Sequence, residues 1–131
     1  MADKHDDVQA TVEKFFTALA TGDQTTCEAL FTDDAVVWHN YTQQEQPKSE
    51  ALAALAGLAQ MRAEFHVVGR DFTDDTCVQR HVVRVTLPNG EVAAIPAIQR
   101  ISLSGGRIRR IDEYMDSAQM IAAMQALQAG V

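Results

Sequence analysis

Glu113, His39, His81 and Gln99 are polar residues in apolar company, and together they have the means to move protons. Side chains alternate between the two faces of a strand, so each extended run divides into two sides. In the run Arg107–Met115 one side carries Arg110, Asp112 and Tyr114. The other carries Ile111, Glu113 and Met115, which sets a carboxylate among apolar neighbours. The same division places Gln99 with Ala97, Ile101 and Leu103, His81 with Val83, Val85 and Leu87, and His39 between Val37 and Tyr41. Gln79 precedes His81 on its face.

A charge left unpaired in such a position costs several kcal/mol, so Glu113 must be paired, protonated or in contact with water in a cavity. Imidazoles titrate near neutrality, and burial raises a carboxyl toward the same range. The chemistry expected is therefore general acid–base catalysis by Glu113, His39 and His81, with Glu113 or His39 as base and His81 as its partner. Gln99, Tyr41 and Gln79 are placed to orient a carbonyl, hydroxyl or epoxide oxygen. Phe15, Met61, Met115 and, if it turns inward, Trp38 would supply apolar lining. No cofactor is called for. Two histidines and one carboxylate can bind a metal, but no His-x-His or His-x3-Glu spacing supports a site, and none is expected. The sequence also lacks a GxSxG elbow, a Walker loop and a GxGxxG turn.

These residues need elements to carry them. Val8, Val12, Phe15, Phe16 and Leu19 recur at helical spacing after the candidate caps Asp6 and Asp7, and the helix stops near Gly22. Asp23 starts a shorter helix with Cys27, Leu30 and Phe31, and an extended run covers Ala35–Tyr41. Residues 41–47 read as a loop. Pro47 and Ser49 introduce a third helix with Leu52, Leu55, Leu58 and Met61 on its stripe. Runs at Glu64–Phe72, Cys77–Leu87, Glu91–Leu103 and Arg107–Met115 are separated by turn residues and predict consecutive antiparallel hairpins. Pro96 places part of the third of these at an edge or bulge. Around Arg70, the alternation does not decide which face His66 takes. A last helix follows Asp116 or Ser117, with Met120, Ile121, Met124 and Leu127 on one side. Helices first and a meander afterwards make an α+β plan. The expectation is a single domain over 1–131, a cone in which a curved antiparallel sheet wraps the helices and leaves a pocket at its open end.

With 131 residues the chain can bury one substantial core and not two. Its charge of −7 is concentrated at the front, where residues 1–34 hold eight acids against Lys4 and Lys14. That imbalance argues against nucleic acid or an anionic membrane as partner. The cluster Arg107, Arg109, Arg110 reads as a solvated strand face. No run reaches the length of a signal-peptide core or a membrane span, so a cytoplasmic protein is expected. Cys27 and Cys77, without CxxC spacing, read as reduced core thiols.

The stretch Ala18–Asp23, followed by Leu30–His39, resembles the opening of the nuclear transport factor 2-like superfamily, in particular its SnoaL-like and ketosteroid-isomerase-like branches. Gly106-Arg107-Ile108, Glu113-Tyr114-Met115-Asp116 and the final helix are similar to its close. The resemblance implies the cone fold and a small-molecule pocket. It puts His39 where steroid isomerases hold an aspartate base and Phe15 where they hold an oxyanion tyrosine. Gln99 falls near their second donor if the Ser104–Gly106 turn is one residue shorter. Glu113-Tyr114 is similar to the water-activating acid and following tyrosine of limonene epoxide hydrolases, whose relay partners fall near Gln79 and His81. Scytalone dehydratase and SnoaL-like cyclases use histidines and acids on the same scaffold.

Two readings follow. One is an isomerase, cyclase, dehydratase or epoxide hydrolase acting on an apolar oxygenated ring compound. The other is a non-catalytic ligand-binding or dimerisation module. A homodimer is expected in either case, through an outer sheet face with Val78, Val82, Thr86 and Ile108 among arginines.

Overall fold

The structure is a computed structural model that describes residues 4–129. The apolar stripe predicted for the first helix is buried along α1 (Lys4–Thr21), with Val8, Val12, Phe15, Phe16 and Leu19 all in the core. The helix already runs from Lys4, so Asp6 and Asp7 lie within it and do not precede it. Gly22, at φ 71°, ends it: Asp23 N donates back to Ala18 O at 2.9 Å, the closing bond of a left-handed helix cap. The Asp23 carboxylate then accepts from Thr26 N at 3.1 Å and starts α2 (Gln24–Leu30).

β1 (Phe31–His39) begins at once, so Phe31 belongs to the strand and not to the preceding helix. The expected loop at 41–47 contains a short strand, β2 (Glu45–Pro47), which leads into α3 (Lys48–Gln60). The meander follows as β3 (Glu64–Phe72), β4 (Thr76–Thr86), β5 (Val92–Ser104) and β6 (Arg107–Met115), and α4 (Ser117–Ala129) closes the order. The six strands form one sheet in the order β2-β1-β6-β5-β4-β3. The sheet is not wholly antiparallel as expected, because β1 and β6 pair in parallel. A parallel pairing needs a long crossover, here α3 and the four intervening strands, and no local turn signal announces it.

Two bulges decide which residues face the helices. In β3 the register shifts between Val67 and Gly69, so Phe65 and Arg70 pair with Val83 and Gln79, residues of one face of β4, although they are five apart. His66 pairs with Val82 on the opposite face. In the β5–β6 pair the shift lies between Ser102 and Leu103. It turns Ile108 into the core at 0% exposure and corrects its expected place on the outer face. Gly105 and Gly106, at φ 59° and 78°, make the two-residue hairpin between Ser104 and Arg107.

Pro96 sits on β5 just beyond the last β6 pair, Ala97 with Met115. Its carbonyl accepts from Asp116 N, and the Asp116 carbonyl that its missing N–H would face accepts instead from Met120 N at 2.9 Å. Helices α1 and α3 pack on the concave face over a core that includes Phe31, Cys77, Ile101 and Ile111. Cys27 and Cys77 are free and buried, and burial pushes the Cys77 thiol up to about 11, which keeps it protonated. No helix among the described residues is long and apolar enough to cross a membrane.

Candidate functional site

The strand registers line up the polar inward residues in a single row. His39 of β1 pairs with Glu113 of β6, Glu113 with Gln99 of β5, Gln99 with Gln79 of β4, and Gln79 with Arg70 of β3. His81 lies two residues along β4, on the same face. Each group therefore stands about one strand spacing, roughly 5 Å, from the next, close enough for side chains to bond.

They converge on Glu113. His39 Nε2 lies 3.2 Å from Glu113 Oε1, His81 Nε2 lies 3.0 Å from Oε2, and Gln99 Nε2 donates to Oε2 at 2.7 Å. Behind His81, the Gln79 amide nitrogen lies 2.9 Å from Nδ1, and Arg70 Nε donates to Gln79 Oε1 at 2.7 Å. Burial raises the proton affinity of Glu113, but the donor contacts of His39 and His81 outweigh it. The carboxyl is held below its ordinary 4.5, at about 2. This corrects the expectation that apolar surroundings raise Glu113 toward neutrality: the residue is apolar in its sequence neighbours only, and the donors come from other strands.

A cavity of about 250 Å³ opens above this row. A water's share of liquid volume is about 30 Å³, so the space holds a small organic molecule and not merely one solvent molecule. Glu113, His39, Gln99 and Tyr41 reach its wall, and Phe15, Val37, Met61, Val85, Ile95 and Met115 make it apolar. The Tyr41 ring lies tilted against His39, with ring centroids 5.3 Å apart. Its phenol stays protonated, pushed up by burial and by the Glu113 charge.

Three expected site residues stand elsewhere. Trp38 is on the opposite face of β1, against the exposed Tyr114, because strand alternation turns it away from Val37 and His39. His81 and Gln79 are almost fully buried and do not line the cavity; they stand behind Glu113. Among the described residues no group of His, Cys, Asp and Glu is arranged to hold a metal ion.

Sequence reasoning missed Arg70, Asn40 and the contribution of α4 to the cavity. Met120, Ala123, Met124 and Leu127 of α4 all border it, and their helical spacing was a legible signal, whereas Ile121, expected on the same side, is exposed and does not line it. Asn40 donates to Met115 O at 3.1 Å and accepts from Met115 N at 3.0 Å, joining the ends of β1 and β6 beside the site.

A concave mixed sheet covered by helices, with a charged and amide-rich row beneath an apolar cavity, defines an α+β cone. The chain belongs to the SnoaL-like domain family, whose model matches residues 12–111. A solved nuclear transport factor 2-like protein of unknown function from Burkholderia pseudomallei superposes with a TM-score of 0.80 at 18% identity, covering 92% of this chain and 98% of that one. IdmH from Streptomyces antibioticus, a proposed polyketide cyclase, superposes at 0.78 with 18% identity over 90% and 98%. A proposed SnoaL-like polyketide cyclase from Shewanella putrefaciens gives 0.75 with 16% identity over 90% and 85%. At these identities the likeness establishes the fold. Comparison with curated proteins gives no significant match.

Proposed function

We propose that this chain is an enzyme that moves a proton on an apolar ring compound carrying oxygen, without a cofactor, and that His39 takes or gives the proton. The observation that carries the reading is the approach of His39 Nε2 to Glu113 Oε1, 3.2 Å apart, on the wall of a mainly apolar cavity. An anion behind one ring nitrogen keeps the ring proton there and leaves the lone pair of Nδ1 as the base. It also stabilises the imidazolium that forms when a proton is taken. The Tyr41 hydroxyl and the Gln99 amide are the groups at hand to orient the oxygen of a carbonyl or enol. Ring closure, dehydration and isomerisation of such compounds can all begin by removing a proton beside a carbonyl. The proposed polyketide cyclases among the similar structures support that substrate class. Epoxide hydrolysis by Glu113 has less support, since a carboxylate with depressed proton affinity is a weak base.

The test is turnover of a panel of oxygenated polycyclic ketones, followed by absorbance and mass spectrometry. His39→Ala should lower the rate by about 10²–10⁴-fold with a smaller effect on KM, the usual range for a general acid–base group. One observation favours the alternative, a binding module: His81 is sealed from the cavity, leaving His39 as the one imidazole on its wall among the described residues. Tight binding of a panel compound with no turnover by the wild-type protein would establish that reading instead.

A further inference from the structure

The buried side chains behind the cavity have a directional logic that the proton-transfer reading does not use. A guanidinium only donates hydrogen bonds, so Arg70 Nε, 2.7 Å from Gln79 Oε1, fixes which end of the Gln79 amide faces it. Were the amide turned over, its NH2 would meet the Arg70 N–H. The Gln79 nitrogen, also a donor only, must then be the end that lies 2.9 Å from His81 Nδ1. Nδ1 must therefore accept, which leaves the ring proton on Nε2, aimed at Glu113 Oε2 3.0 Å away. The same oxygen accepts a hydrogen bond from Gln99 Nε2 at 2.7 Å. Around the rest of the ring stand Phe16 of α1 and Phe65 of β3, with centroids 6.2 and 5.5 Å away, which offer no competing polar contact. Arg70 itself is held with its guanidinium carbon 5.4 Å from the centre of the Phe16 ring.

We propose that Arg70 and Gln79 are positioning residues that lock His81 in the tautomer protonated on Nε2, and so keep Glu113 an anion facing His39. The inference rests on the proton-transfer reading only for its use. The tautomer itself is a property of the protein without ligand. Glu113 favours the proton on Nε2, but a Gln79 amide free to turn could present its oxygen to Nδ1 and draw the proton there instead. Here a permanent charge two hydrogen bonds away removes that freedom.

Nitrogen-15 spectra of the imidazole rings at neutral pH, on the full chain without ligand, read the tautomer directly. The wild type should show His81 Nδ1 with the shift of an unprotonated ring nitrogen and Nε2 with that of a protonated one. Arg70→Lys keeps a donor beside Gln79 and should keep the pattern, whereas Arg70→Leu frees the Gln79 amide to turn its oxygen toward Nδ1 and should move both shifts partway toward their mean, Glu113 alone then favouring the proton on Nε2. Gln79→Glu replaces the donor by an acceptor and should move Nδ1 to the protonated shift. A wild-type spectrum with His81 protonated on Nδ1 overturns the proposal, as does a folded Gln79→Glu protein in which Nδ1 stays unprotonated. If Gln79→Glu does not fold, the wild-type spectrum and the two Arg70 variants decide. These measurements involve no substrate, so their outcome is separate from whether His39→Ala loses turnover.

Discussion

Glu113 collects the electrostatics of the site in one side chain. It is 5% exposed, yet it is favoured as an anion because each oxygen faces at least one donor-bearing side chain. A carboxyl whose folded value lies below its unfolded one adds stability above the unfolded value and loses it as pH falls. For Glu113 that window runs from about 4.5 down to about 2. Urea denaturation across this range should show the wild type losing a few kcal/mol more than Glu113→Gln, which has no proton to gain at that position. Parallel curves for the two proteins would show that Glu113 is not held as an anion. The choice of Glu113, Gln99, His39 and His81 was legible in the sequence because each sits on the apolar side of an alternating strand. The sign of the Glu113 shift was not, since burial is readable from neighbours along the chain while the donors come from three other strands. Arg70 was hidden by the bulge that breaks the alternation of β3.

Elements hold this arrangement through the one pairing the sequence did not announce, the parallel contact of β1 with β6. Near the site that contact ends in Asn40, whose backbone N–H donates to Glu113 O at 3.1 Å. Its side chain meets both the N–H and the C=O of Met115, as a further peptide unit of β1 would, and also donates to Ser117 Oγ at 3.1 Å. One amide thus fixes the end of β1, the end of β6 and the start of α4 together. Asn40→Ala would leave the Met115 groups without these partners in a half-buried place and should cost about 1–3 kcal/mol in urea denaturation. It should also weaken ligand binding, because His39 and the cavity-lining helix α4 both lean on this junction; a change under about 0.5 kcal/mol would show that water replaces the amide. Helices and antiparallel strands were readable because periodicity and turn residues are local. The short β2, the parallel pair and the side-switching of Ile108 depend on residues far apart in sequence, or on a single extra residue in a ladder.

At the scale of the whole molecule, the described residues leave the sheet's outer face uncovered. Tyr114 and Ile98 are register partners there, 55% and 42% exposed, and Trp38 lies against Tyr114 with ring centroids 5.1 Å apart. The same face carries Arg100 opposite Asp112, so it presents apolar surface and both signs of charge. A twofold interface requires a patch complementary to itself, and this mixture meets that condition better than a face of one charge would. Aromatic residues at the centre of a surface patch are also the usual core of an interface. The partner we propose is therefore a second copy of the chain, packed sheet to sheet. The wild-type protein should sediment at twice the 14.4 kDa of one chain. Tyr114→Glu and Ile98→Glu would each bury a charge against a copy of itself and should give monomers with an unchanged circular dichroism spectrum. Both residues point away from the cavity, so ligand binding should persist in the monomers. A wild-type protein that sediments as a monomer at about 100 μM would sink the proposal. Dissociation that also abolished binding would mean that the second copy supports the cavity as well as covering the sheet.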